Sequence, residues 1–72
     1  MVKVGEKYRH FKGHEYEIVA IAKHSETLED MVVYANINDK NDVWVRPKDM
    51  FYDMVDKEKY PDVKQDYRFE KM

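Results

Sequence analysis

Apolar runs alternate along the chain with short polar breaks, and the breaks fall where strands need turns. "EKYRHF" (residues 6–11) predicts a short first strand, followed by Gly13 as a turn residue free to adopt positive φ. Residues 15–24, within "HEYEIVAIAKH", are β-branched and aromatic with only partial alternation. They predict a long strand whose two faces are both partly covered. "SETLED" interrupts the pattern, and "MVVYANI" resumes it as a strand over residues 31–37. "NDKND" predicts a tight loop, and "VWVR" a strand over residues 43–46 that stops at Pro47, which cannot donate to a ladder.

"PKDMF" then predicts one helical turn. "MFYDMV" fits a helix by the spacing of Met50, Phe51, Met54 and Val55, and a closing strand by its length. "DKEKYPD" reads as a charged loop. "DYRFEKM" reads as an edge strand with Tyr67 and Phe69 on one face, so residues 56–72 are either that strand or a flexible tail. No repeat, low-complexity tract or linker divides residues 1–72. The expected fold is mostly β: one small domain, an SH3-like partly open barrel or a curved antiparallel sheet of about five strands, with a short helical turn after Pro47.

Alternation also suggests which faces are buried. With the loop at residues 39–41 and Asn38 opposite Asp42, Asn36 faces Trp44 and Tyr34 faces Arg46. Val33, Ala35, Ile37, Val43 and Val45 then share a uniformly apolar side and are expected to be buried together. Tyr34, Trp44 and Arg46 lie on the other side as a recognition face. In the preceding strand, Val19 and Ile21 inward would put Ala20, Ala22 and His24 beside the aromatics as a shallow groove. The reverse choice, with Ile18 inward, fits nearly as well.

Composition limits what such a domain can do. Seventy-two residues are near the size at which one core only just suffices. The 43% apolar fraction allows that core, and the 39% charged fraction makes the surface dense in charge. A net charge of −2 gives no global attraction to nucleic acid or anionic lipid. The charge is uneven: five Lys/Arg face three Asp/Glu in residues 1–24, and eight face twelve beyond. There is no cysteine, which removes disulfides, thiolate metal ligands and thiol nucleophiles. No apolar run approaches the ~20 residues of a membrane helix, and "MVKVGEKYRH" is unlike a signal peptide. A cytoplasmic setting without membrane contact is the expectation.

Three stretches carry candidate chemistry. "HSETLED" concentrates a base, hydroxyls and carboxylates. His24 and Ser25 are adjacent, so on a strand they point to opposite faces and do not form a dyad. His24 and Glu26 share a face and are a candidate small-molecule or metal-ligand site, with His10 and His14 as further ligands. Without an H-x-H or H-E-x-x-H word no tight metal site is expected. The simpler reading is a hairpin tip whose Ser25 and Thr27 satisfy backbone groups.

"YRHFKGHEY" interleaves aromatics with Arg9 and Lys12, a pattern suited to weak, salt-sensitive single-strand binding through Arg9, Lys12 and Arg46. In "VWVRP", Trp44 and Arg46 sit at i and i+2, where either a cation–π contact joins them or Trp44 packs under the C-terminal segment and Arg46 pairs with an acidic side chain. Both residue types are enriched in binding hot spots. The methionines and Phe51 read as core or dimer contact, so the chain is a monomer or a homodimer. With no complete catalytic constellation, a cofactor-free binding module for a protein, peptide, small ligand or nucleic acid is preferred to an enzyme.

"YRHFKGHEYEIVAIAKHSETLEDMVVYANI", "WVRP" and "MF" together resemble a family of small bacterial proteins known only as a domain of unknown function. The words Y-R-H-F-K-G, H-S-E-T, V-V-Y, W-V-R-P and M-F occur in that order over about residues 8–51. The resemblance implies a small bacterial β domain and supplies no activity. The chain departs from the family's aromatic-glycine loop at "NINDKND", so no role is carried over for that loop.

Overall fold

The computed structural model describes residues 2–72. Five strands form one open antiparallel sheet: β1 (Lys7–His10), β2 (Glu15–Lys23), β3 (Asp30–Asn36), β4 (Asp39–Pro47) and β5 (Phe69–Lys71). Their spatial order is β4-β3-β2-β1-β5, so β4 and β5 are the edges. A single helical turn, α1 (Lys48–Phe51), follows Pro47 directly. Pro47 is the last residue of β4, where an edge strand tolerates its missing N–H.

Burial is the reverse of the valine-face expectation. Ile18 and Val32 are fully buried and Tyr34 is only 4% exposed, whereas Val43 and Val45 are 52% and 60% exposed. Val33 and Ile37 are half-buried, and of the five expected core residues only Ala35 is buried. Both faces of β3 are apolar, so alternation alone did not decide which one is covered. The covering segment decides it. Phe51 and Phe69 are buried in one cluster with the Tyr8–Tyr16–Ile18–Val32–Tyr34 side.

Aromatic rings build this core. Phe51 stacks on Phe69 with centroids 4.3 Å apart. Tyr8 meets Phe51 edge-on at 5.3 Å, and Tyr34 meets Tyr16 at 5.1 Å and Phe69 at 5.3 Å. Rings of this size supply the buried area that so short a chain needs, with edge-to-face geometry adding to it.

Two irregularities set the register. In β2 the pairing shifts between Ile18 and Ala20: Ile18 lies opposite Tyr34, and Ala20 opposite Val33. Ala20 therefore shares the Val33 face, and the expected alanine groove beside Tyr34 and Trp44 does not form. In β4 the shift falls next to the hairpin. Asn36 pairs with Asp39 and Ala35 with Val43, so the turn is Ile37–Asn38 and residues 40–42 are extra length in β4. Asx contacts hold this arrangement: Asn38 N–H donates to Asn36 Oδ1 at 2.8 Å, and Asn41 N–H to Asp39 Oδ1 at 3.0 Å. As a result Trp44 faces Tyr34 and Arg46 faces Val32, two positions away from the expected pairing.

The C-terminal segment is tied in by backbone bonds. Val55 N–H donates to Asp66 O, Arg68 N–H to Asp53 O, and Phe11 N–H to Arg68 O. Gln65 Nε2 adds a bond to Arg9 O at 3.1 Å. Phe69 is buried, whereas Tyr67 is half exposed and bridges to Met54.

Candidate functional site

Where the aromatic core reaches the surface, it forms the floor of a cleft of about 460 Å³. That volume lies within the range of small-ligand clefts, ~300–1,000 Å³. Tyr16, Tyr34 and Phe69 line it together with Trp44 and Arg46 of β4. The β1–β2 hairpin adds His10, Phe11, Lys12 and His14, and the C-terminal segment adds Lys59, Tyr60 and Arg68.

The hairpin is held by local bonds. His10 N–H donates to His14 O and Gly13 N–H to His10 O, both at 2.8 Å. Gly13 has φ +97°, a conformation costly for any side-chain-bearing residue. Lys12 N–H donates to His10 Nδ1 at 3.1 Å, which keeps that nitrogen an acceptor. Burial, reinforced by Arg46, Lys12, Arg68 and His14, pushes the His10 pKa down to about 4. His10 is therefore neutral near pH 7, with its remaining ring proton on Nε2.

The cleft lining is cationic. Lys12, Arg46, Lys59 and Arg68 line it, and no carboxylate does. The four ion pairs among the described residues join Arg9 to Glu15, Lys23 to Asp30, Lys57 to Asp66 and Lys71 to Glu6. None uses a cleft cation. Instead these cations lie over rings: Arg46 above Phe69 at 5.5 Å, Arg68 above Phe11 at 5.9 Å, and Lys12 and Lys59 above Tyr60 at 5.7 and 5.6 Å. Among the described residues Arg46 makes no cation–ring contact with Trp44; its guanidinium lies over Phe69 instead. Trp44 is 52% exposed and takes part in no ring–ring or cation–ring contact among the described residues.

Tyr34, Trp44 and Arg46 thus meet in one cleft, though Tyr34 serves as its floor and as core. His24 and Glu26 do not line it. His24 organises the β2–β3 hairpin. Its Nδ1 accepts from Glu26 N–H at 3.1 Å and from Thr27 N–H at 3.3 Å, while Leu28 takes φ +63°. Thr27 Oγ1 accepts from Glu29 N–H, and Glu26 is exposed. Among the described residues no three His, Asp or Glu side chains gather as a metal-binding group.

Sequence reasoning did not reach His10, His14, Lys59, Tyr60, Arg68 and Phe69 as partners of Trp44. They come from the first hairpin and from residues 59–69, which the topology brings together across the sheet. The interleaved "YRHFKGHEY" was the available signal, and its Lys12 lines the cleft. Arg9, grouped with it, is instead paired with Glu15 at 3.1 Å.

An open five-stranded sheet with a cationic, ring-floored cleft defines a small β domain, and no helix among the described residues is long and apolar enough to cross a membrane. The chain belongs to the family described as Protein of unknown function (DUF1653), whose model matches residues 6–71. No curated protein and no solved structure matches it.

Proposed function

We propose that the protein is a non-enzymatic binding module whose cleft takes an anionic ligand group. The observation behind this reading is the set of four cations, Lys12, Arg46, Lys59 and Arg68, gathered with no carboxylate beside a half-exposed tryptophan. The chain has net charge −2 and 15 acidic residues, and none of them lines the cleft. Leaving like charges together costs stability, and a bound anion would offset that cost. Arg46 and Arg68 provide planar forks for a phosphate or carboxylate, and the lysines act as mobile point charges. Neutral His10 offers an Nε2–H donor without adding repulsion.

The test is calorimetric titration with inorganic pyrophosphate at low ionic strength. Saturable binding is expected, weakening as salt rises and lost in an Arg46→Ala/Arg68→Ala double variant. It should persist in Glu26→Ala, which lies outside the cleft. Absence of binding, or binding indifferent to the double variant, would overturn the proposal.

A further inference from the structure

Three features of the cleft describe a more specific occupant. First, Trp44 presents an indole on which no ring or cation among the described residues stacks, although ten aromatic residues crowd a chain this small. Second, the lining is rich in donors. Its four cations and the Trp44 indole N–H only donate, and only hydroxyl and imidazole groups of its side chains can accept. Third, among the described residues the hydroxyls of Tyr16 and Tyr34 have no hydrogen-bond partner, yet no buried side-chain N or O atom is left unpaired. Both hydroxyls therefore retain contact with solvent, and both side chains line the cleft.

The complement of this surface is flat on one side, polyanionic on the other and rich in acceptors throughout. We infer that the cleft binds a nucleotide, with the base stacked on Trp44 and the phosphate held by Arg46, Arg68 and Lys12. This rests on the reading of the cleft as an anion site. A nucleobase has a π face suited to an unpartnered aromatic, and its edge is rich in ring-nitrogen and carbonyl acceptors. A phosphopeptide fits less well, because its backbone brings as many N–H donors as carbonyl acceptors to a lining that is short of acceptors. The same chemistry is offered by a free nucleotide and by one residue of a single strand.

Trp44 is the only tryptophan, so its fluorescence reports on the stacking step. The wild-type protein is titrated with adenosine, inorganic pyrophosphate, adenosine monophosphate, a five-residue oligoadenylate and a phosphotyrosine peptide. Adenosine monophosphate should quench Trp44 and bind at least tenfold more tightly than adenosine. It should compete with pyrophosphate, and Lys12→Ala should weaken it severalfold. Lys12 sits on an exposed turn, so this variant leaves the core untouched.

Arg46→Ala should weaken binding tenfold or more, with its melting curve recorded to show that the protein is folded. If the oligoadenylate binds tenfold tighter than the monophosphate, with a salt slope near 0.7 per added phosphate contact, the natural source is a strand. Equal affinities identify a free nucleotide. Pyrophosphate binding without quenching or preference by adenosine monophosphate overturns the nucleotide assignment and leaves the anion reading intact. Tighter binding of the phosphotyrosine peptide also overturns it. Failure of every phosphorylated probe removes both readings.

Discussion

Trp44 and Phe51 are both large aromatics, and their surroundings assign them opposite tasks. Phe51 is fully enclosed and stacked on Phe69, so Phe51→Ala should cost ~3–5 kcal/mol in urea unfolding. Trp44 is half exposed and has no ring partner, so Trp44→Ala should cost under about 1 kcal/mol while abolishing anion-dependent fluorescence and weakening ligand binding. A Trp44 variant as unstable as the Phe51 variant would make the indole structural.

His10 sets a second expectation at this scale. Its folded pKa, about 4, lies below the ordinary 6.5, so the unfolded chain binds the proton first as pH falls. Stability should therefore decline between about pH 6.5 and 4, and His10→Asn, whose side-chain oxygen can replace Nδ1 as acceptor for Lys12 N–H, should flatten that decline. Glu6 acts in a lower window. Lys71, Lys3 N–H and Tyr8 hold its carboxyl at about 2, so its contribution is lost only as pH falls from 4.5 toward 2. An acid slope between pH 6.5 and 5 that is unchanged in His10→Asn would contradict this assignment.

Among the elements, β3 and β4 show how far the sequence could be read. The limits of β3 to within a residue, the end of β4 at Pro47 and the helical turn after it were legible, because proline acts locally, whereas the loop expected at residues 39–41 lies inside β4. Which face is buried was not legible. "MVVYANI" is apolar on both sides, and the choice rests on Phe51 and Phe69, which arrive from later in the chain. Register was missed for a related reason: residues 40–42 are accommodated as extra length within β4, which the Asx bonds stabilise but residue type alone does not place.

The face reversal can be measured. Ile18→Ala should cost ~2–5 kcal/mol, whereas Val45→Thr on the open face should change stability by no more than about 0.5 kcal/mol. Comparable losses from urea midpoints at unchanged slope would return the core to the valine side.

At the scale of the whole molecule, the open sheet carries its core and its candidate site on one face. Tyr16, Tyr34 and Phe69 belong to both, so the rings that hold the fold together also floor the cleft. Two edges of the sheet contribute to it: β4 brings Trp44 and Arg46, and the segment leading into β5 brings Tyr60 and Arg68. That shared construction explains why Tyr34, Trp44 and Arg46 were recognisable as a group while half of the cleft was not. Strand alternation groups neighbours, and only the folded topology adds the first hairpin and the C-terminal segment. His24 and Glu26 stand apart on the β2–β3 hairpin, where imidazole and hydroxyl groups satisfy backbone N–H groups.

The proposed ligand site is this cleft and not that hairpin. The most direct measurement is a ¹H–¹⁵N NMR titration of the wild-type protein with pyrophosphate at low salt. Saturable shifts are expected for the Trp44 indole N–H and the backbone amides of Lys12, Arg46 and Arg68, with those of Glu26 and Thr27 unmoved. Saturable shifts centred on Glu26 and Thr27, or none at the cleft, would contradict it.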